Sequence, residues 1–185
     1  MLVVQTASNA GQTSSVTYNG VALTKIADIA HSGYGYVGLW YLVNPPAGTY
    51  NIVVSGAGST YYLCNASSWM DMDQSSPVDV FTSNNGSSSV FTSTITTTVD
   101  KDIHVMGIRF SGASLTNGSN TYMRSNAGGS GAIADGGKQI SPAGSNTLTL
   151  NGSSSTAYGL VGATFKIKSS VVEILNPEIL LNFLT

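Results

Sequence analysis

Short segments in which apolar and polar residues alternate recur along almost the whole chain, each closed by Gly, Asn, Ser or Pro. Alternation at period 2 places successive side chains on opposite faces of an extended backbone, so it predicts strands. Segments 2–6, 14–18, 22–28, 36–43, 50–55, 60–68, 88–98, 103–110, 120–125, 146–150 and 157–167 carry the pattern. Nothing before Ser169 has the 3.6-residue period of a helix. Many short strands with evenly spaced turns predict an all-β fold, an antiparallel β-sandwich of jelly-roll-like type.

Particular strands show where they should lie. In "IHVMGIRF" both faces are largely apolar, which predicts a central strand over 103–110. In "SSVFTSTITTTVD" the alternation sets Phe91, Ile95 and Val99 against Val90 and a row of threonines, the mark of a half-buried surface. "AYGLVGATFKI" has small residues on one face, which allows close contact between sheets. Asn-Gly pairs at 19–20, 85–86, 117–118 and 151–152 accept positive φ at low cost and predict tight hairpins. In "GLWYLVNPPAGTYNIVV", Pro45, Pro46 and Gly48 must stop one strand before Tyr50, Ile52 and Val54 begin the next; a hairpin corner is expected, with Trp40 and Ile52 buried.

Composition bears on setting. The 185 residues suffice for one domain, and only 9% are charged, so the surface must be built from Ser, Thr, Asn and Gly. Such neutral surfaces suit virion, extracellular and cell-surface proteins. A net charge of −2 with seven Lys+Arg leaves no basic stripe for phosphates, which argues against nucleic acid. The single cysteine, Cys64, excludes an intrachain disulfide; its apolar surroundings predict a buried, inert thiol. No stretch has the length of a membrane-spanning helix and no secretory leader is visible, which favours a virion role over a surface one.

The last residues differ from the rest. Residues 1–168 read as the sandwich and 169–185 as a short apolar C-terminal appendage. There Val171, Ile174, Leu175, Ile179, Leu180, Phe183 and Leu184 crowd together beside the chain's only glutamates, Glu173 and Glu178, and Pro177 breaks any continuous helix. An apolar patch of that size marks an interaction site, so the segment is expected to be an arm docking on another subunit and promoting homo-oligomers. A brace along an open edge of its own sandwich is the other reading.

"SVTYNGVALTKI", "LWYLVNPPAGTYNIVV" and "DQSSPVDVF" together resemble a family of largely uncharacterised β-sandwich modules in bacterial surface proteins and phage structural proteins. The likeness runs from about Ser15 to Phe165, ending on a "GATF" strand. Its motifs are structural, so it implies assembly, decoration or adhesion and brings no catalytic residues. The family usually has a further strand ahead of the "LVV" segment and ends near the last strand; this chain departs at both points.

Constellations with chemistry are few. "GYGYVG", 33–38, has the letters of a dinucleotide fingerprint, but a strand follows where that motif needs a helix. It is expected to be an aromatic-bearing loop, and Tyr34 and Tyr36 are its candidates for stacking on a sugar. Trp40 and Trp69 are expected in the core. Asp71, Asp73 and Asp79 lie close in "DMDQSSPVD" and carry the oxygen ligands calcium prefers, although an EF-hand's Gly and distal Glu are missing; Asx-turn capping around Pro77 is the plainer reading. No other cofactor is implied. Two histidines, His31 and His104, without a GxSxG elbow leave little for nucleophilic catalysis, and His104 is expected on a sheet face. Four Asn-x-Ser sequons, headed by Asn65, Asn85, Asn117 and Asn151, fall among turn residues. The expectation is a non-enzymatic structural or attachment module on a virion or bacterial surface. A carbohydrate-binding module, calcium-dependent or not, is the alternative.

Overall fold

A computed structural model describes residues 1–31, 35–56, 58, 61–112, 114–127 and 130–168. Its thirteen elements, all strands, begin with β1 (Leu2–Ser8), β2 (Thr13–Tyr18), β3 (Val21–Ala22), β4 (Thr24–Ala30) and β5 (Tyr36–Leu42). Next come β6 (Ile52–Gly56), β7 (Tyr62–Ser68), β8 (Val78–Thr96) and β9 (Ile103–Phe110). The last are β10 (Leu115–Asn117), β11 (Tyr122–Ala127), β12 (Gly131–Asp135) and β13 (Ser145–Phe165). The chain is an all-β, antiparallel sandwich, and its described residues form three sheets. The first runs β4-β5-β1-β7. The main sheet runs β10-β13-β9-β12-β11, with β8 on β13. A small third sheet runs β3-β2-β6.

The first sheet is the middle layer, which explains why all of β1 is buried. Val3 and Ala7 point to one face and Leu2 and Val4 to the other. Between the first and main sheets lie Val3, Val37, Leu39, Val105, Ile133, Val161 and Phe165. Between the first and third sheets lie Leu2, Val4, Trp40 and Leu42, against Val16, Ile52 and Val54. The main sheet's other face is covered by Phe91, Leu148 and Leu150, from the ends of the long β8–β13 ribbon, which pack on Met106, Ile108, Phe110 and Leu160. The ribbon's register shifts between Asn151 and Thr156, and a bulge of this kind bends a strand and increases its twist.

β9 is central, held between β12 and β13 as its two apolar faces predicted. The Asn19-Gly20 hairpin forms: both residues have positive φ (51° and 76°), with Tyr18 opposite Val21. Asn85-Gly86 and Asn151-Gly152 do not turn. They lie inside β8 and β13, where Gly86 pairs with Tyr158 and Asn151 with Val90. Asn-Gly permits a hairpin; here continuous cross-strand pairing outweighs it.

The Pro45–Gly48 corner stops β5 as expected, with Asn44 at φ 43° and Gly48 at φ 132°. It is not a hairpin, however: β5 pairs with β1 and β4, whereas β6 pairs with β2. The two prolines carry the chain from the first sheet to the third. Trp40 is buried and Ile52 partly so. Cys64 is exposed, against expectation. It shares a face of the first sheet with Val4, but on the edge strand β7, which β2 and β6 do not cover.

Candidate functional site

One end of the sandwich gathers the ends of β1, β4 and β9 and the starts of β5, β7 and β12, as the pairs Ser8–Tyr36, Ser8–Tyr62, Ala30–Tyr36 and Arg109–Gly131 require. Polar groups collect between the sheets here. Gln5, fully buried, accepts a hydrogen bond from Asn65 Nδ2 at 2.8 Å, and Asn65 Oδ1 accepts one from Ser125 Oγ at 2.6 Å. The space for Gln5 comes from Gly107, where a Cβ would stand 2.7 Å from Gln5 Cγ. This chain of amides ties the first sheet's edge to that of the main sheet. Asn65 is therefore an internal connector rather than a surface turn residue.

His31 and Arg109 are buried at the same end. His31 Nε2 lies 2.9 Å from the Ala157 carbonyl and 3.2 Å from Ser111 Oγ, so this nitrogen carries the proton it donates to the carbonyl. Burial pushes the imidazole below its ordinary pKa, against the Ala157 bond, which raises it. Burial also lowers the Arg109 guanidinium, while the Tyr61 phenol acts to raise it. On the other face of the first sheet a surface groove of about 520 Å³, within the range of small-ligand sites, is lined by Tyr36, Lys25 and the 11–14 segment. Tyr36 opens β5, is half-buried and lines this groove. Tyr34 lies outside the described residues.

A second aromatic surface escaped sequence reasoning. Tyr18 and Tyr50 meet edge to face at 5.6 Å, pinned by the Tyr18 hydroxyl donating to the Gly48 carbonyl at 2.7 Å. Tyr50 and Val53 are both exposed beside it. Tyr50 has the spacing of Ile52 and Val54 but stands ahead of β6, so it is exposed while those two face the core.

The opposite end holds the acidic residues, and the fold does not gather Asp71, Asp73 and Asp79 into one ligand set. Asp73 Oδ1 accepts the Ser75 and Ser76 amides at 2.7 and 3.0 Å, an Asx turn ahead of Pro77; these bonds, Ser76's first, hold its carboxyl below the ordinary pKa. Asp79 accepts the Thr98 amide at 2.7 Å and the Thr98 hydroxyl at 2.5 Å. Asp71 contributes its carbonyl to the Lys168 amide at 2.7 Å. Among the described residues no three His, Cys, Asp or Glu side chains converge as metal ligands.

The main sheet contains one arrangement with the connectivity of a nucleophilic triad. Ser93 Oγ is 2.9 Å from His104 Nε2, and His104 Nδ1 is 2.9 Å from Asn146 Oδ1. Ser93 and His104 are each only 1% exposed, and a Cβ at Gly162 would stand 2.0 Å from Ser93 Oγ. No space is left for an acyl carbon beside that oxygen. Burial drives the imidazole down to about 4, against the Asn146 bond, so it takes up a proton poorly near neutrality. The trio acts as a buried polar cross-tie between β8, β9 and β13.

The appendage residues Val171, Ile174, Leu175, Ile179, Leu180, Phe183 and Leu184 lie outside the described residues. The last described contacts before them are the bridge of Ile167 with Met72 and the Lys168 amide donating to the Asp71 carbonyl at 2.7 Å. No helix among the described residues is long and apolar enough to cross a membrane. No family model matches the chain, and no curated protein or solved structure matches it.

Proposed function

We propose that this chain is a non-enzymatic structural or attachment module, jelly-roll-like, displayed on a phage virion or bacterial surface and serving assembly, decoration or adhesion. The observation that carries this reading is the outer edge of β8. That strand is 19 residues long and, among the described residues, ladders only with β13. It contains one charged residue, Asp79, and no lysine or proline. Phe81 and Val90 on it are 56% and 48% exposed. Monomeric proteins guard long edges with charge, proline or cover, because unpaired N–H and C=O groups template pairing with another chain. An unguarded edge suits a protein that works by joining other structural subunits. The apolar 169–185 arm supplies a second contact in the same reading, and the uncharged surface suits a virion or extracellular setting. The burial of Ser93 and His104 agrees with a non-enzymatic role.

The test is mass in solution, for the full chain, a chain ending at Ser169, and Val90→Lys. The full chain is expected to self-associate, and each change to weaken that association. A full chain that stays monomeric at high concentration overturns the assembly reading. The second reading, a carbohydrate-binding module, is favoured by the groove at Tyr36. A glycan array with and without chelator tests it, and binding lost in Tyr36→Ala would move the assignment there.

A further inference from the structure

Asp102 opens the approach to β9 and is completely buried. Neither carboxyl oxygen receives a hydrogen bond of normal geometry from an N–H or O–H group. The Thr164 hydroxyl nearby donates instead to the Val80 carbonyl at 3.4 Å. An ionised carboxylate sealed in this way would be severely penalised. What does stand against it is a second carboxyl group, Asp79 on β8. Asp79 is built to be the charged member, because it accepts both the amide and the hydroxyl of Thr98. The oxygen atoms of two carboxyl groups meet favourably only if one of them carries a proton.

We infer that Asp79 and Asp102 share a single proton and form a pH-sensitive clasp, which holds the turn between β8 and β9 onto the end of the main sheet and loosens in alkali.

The surroundings give the direction. Burial, then the bond to Asp79, then the charge of Asp79 raise Asp102 to about 7, while Thr164 and the Lys166 ammonium act weakly the other way. Lys166, just past β13, is the cation acting on Asp102; its Nζ is already bonded to Ser76 Oγ at 2.8 Å. On the turn itself Asp100 and Lys101 are exposed. His104, two residues along, is committed to Ser93 and Asn146. For Asp79, burial raises the carboxyl, but the Thr98 hydroxyl and amide and the Asp102 carboxyl outweigh it and hold it low. One member is therefore ionised throughout the physiological range and the other changes state within it.

The clasp has something to hold. Asp79 grips Thr98, Thr97 bonds Gly144, and on the turn the Asp102 carbonyl accepts the Ile140 amide while the Lys101 amide donates to the Ile140 carbonyl, each at 2.8 Å. Loss of the shared proton places two negative charges in contact inside this knot, and the Asp79–Thr98 grip is the exposed, weaker side. Opening should therefore begin at Thr98.

The experiment follows the carboxyl carbons of Asp79 and Asp102 by NMR across the pH range, together with hydrogen exchange at the Thr98 and Val99 amides. One carboxyl should titrate near neutrality and the other as a strong acid. Exchange, corrected for its intrinsic pH dependence, should accelerate about tenfold or more between roughly pH 6 and pH 8.5. Asp102→Asn, which supplies a permanent donor to Asp79, should abolish the acceleration. If that variant does not fold, the wild-type titration still decides. Two carboxyls that both titrate below about pH 5, or exchange that is indifferent to pH, overturn the clasp. So does protection at high pH that appears with added calcium and vanishes with chelator, since a cation would then be taking the proton's place.

Discussion

Ser93 Oγ and His104 Nε2 stand 2.9 Å apart in a space that admits nothing else. The same two atoms at the mouth of a cleft would be a nucleophile and its base; under Gly162 they are a fastener. Because both are buried, Ser93→Ala leaves the imidazole nitrogen without its donor, at a cost of about 1–3 kcal/mol. The expected result is a lower urea midpoint with no change in reactivity toward serine-directed acylating reagents, to which the parent should be inert. Labelling of Ser93 in the native protein would contradict this.

Asp102 and His104 impose opposite pH dependences on stability. Asp102, raised from 3.8 to about 7, contributes stability that is full below its unfolded pKa and is lost as pH rises toward 7. His104, lowered from 6.5 to about 4, contributes stability that is full above its unfolded pKa and is lost as pH falls toward 4. The effects are on the order of 4 and 3 kcal/mol, so between about pH 4 and 6.5 they largely oppose each other. The parent should show a shallow profile of urea midpoint against pH. Asp102→Asn should leave a profile rising with pH, and His104→Gln one that falls. Equal slopes in all three proteins would refute the assignment.

The strands were legible where packing obeys period 2. β9, Trp40 and the Asn19-Gly20 hairpin follow from side-chain alternation and local φ preference, which act within a few residues. Partners were not legible. Whether Asn85-Gly86 turns or extends depends on Tyr158 and Gly159 of β13, more than 70 residues away. β12 escaped notice because "GAIAD" is short and small, although Ala132 and Ala134 pack beneath the Phe91 ribbon. Polar cross-ties were hidden for the same reason. Nothing local to Gln5, Asn65 or Ser93 indicates that its partner lies on another strand. Of the candidate site, Tyr36 was legible as an aromatic next to a glycine loop, although it opens β5; the buried His31 and Arg109 were not.

Arg124 tests one of these long-range contacts. It is the extra residue between Met123 and Ser125, where β11 shifts register against β12, and the bulge lets its guanidinium grip Asp135 through both Nε and Nη2. Asp135 is fully buried and also accepts the Gly137 amide at 2.6 Å. Removing the cation strands that carboxylate, so Arg124→Met should cost about 3 kcal/mol, read as a lower urea midpoint. Arg124→Met with Asp135→Asn should recover much of the loss. No recovery in the double variant would show the pair to be energetically incidental.

Trp40 joins the two sheets that the proline corner separates. Its ring sits at 3% exposure among Leu2, Val4 and Leu42 of the first sheet and Val16 of the third. The indole N–H donates to Thr6 Oγ1 at 3.0 Å, so its one polar group is satisfied inside the core. On the outer side Lys25 Nζ lies 4.7 Å from the ring centroid and donates to the Thr13 carbonyl at 2.8 Å, which ties β2 and β4 across the same ring. Trp40→Ala should therefore cost about 3–5 kcal/mol and open the third sheet first. Trp40→Phe keeps most of the packing but loses the bond to Thr6, and should cost about 1–2 kcal/mol. Hydrogen exchange separates the two kinds of loss. In Trp40→Ala, amides of β2 and β6 should lose protection well before those of β9, whereas in Trp40→Phe the order of exchange should match the parent. A Trp40→Ala protein that melts with the parent would mean that the first and third sheets are held together elsewhere, and that the ring is not the joint between them.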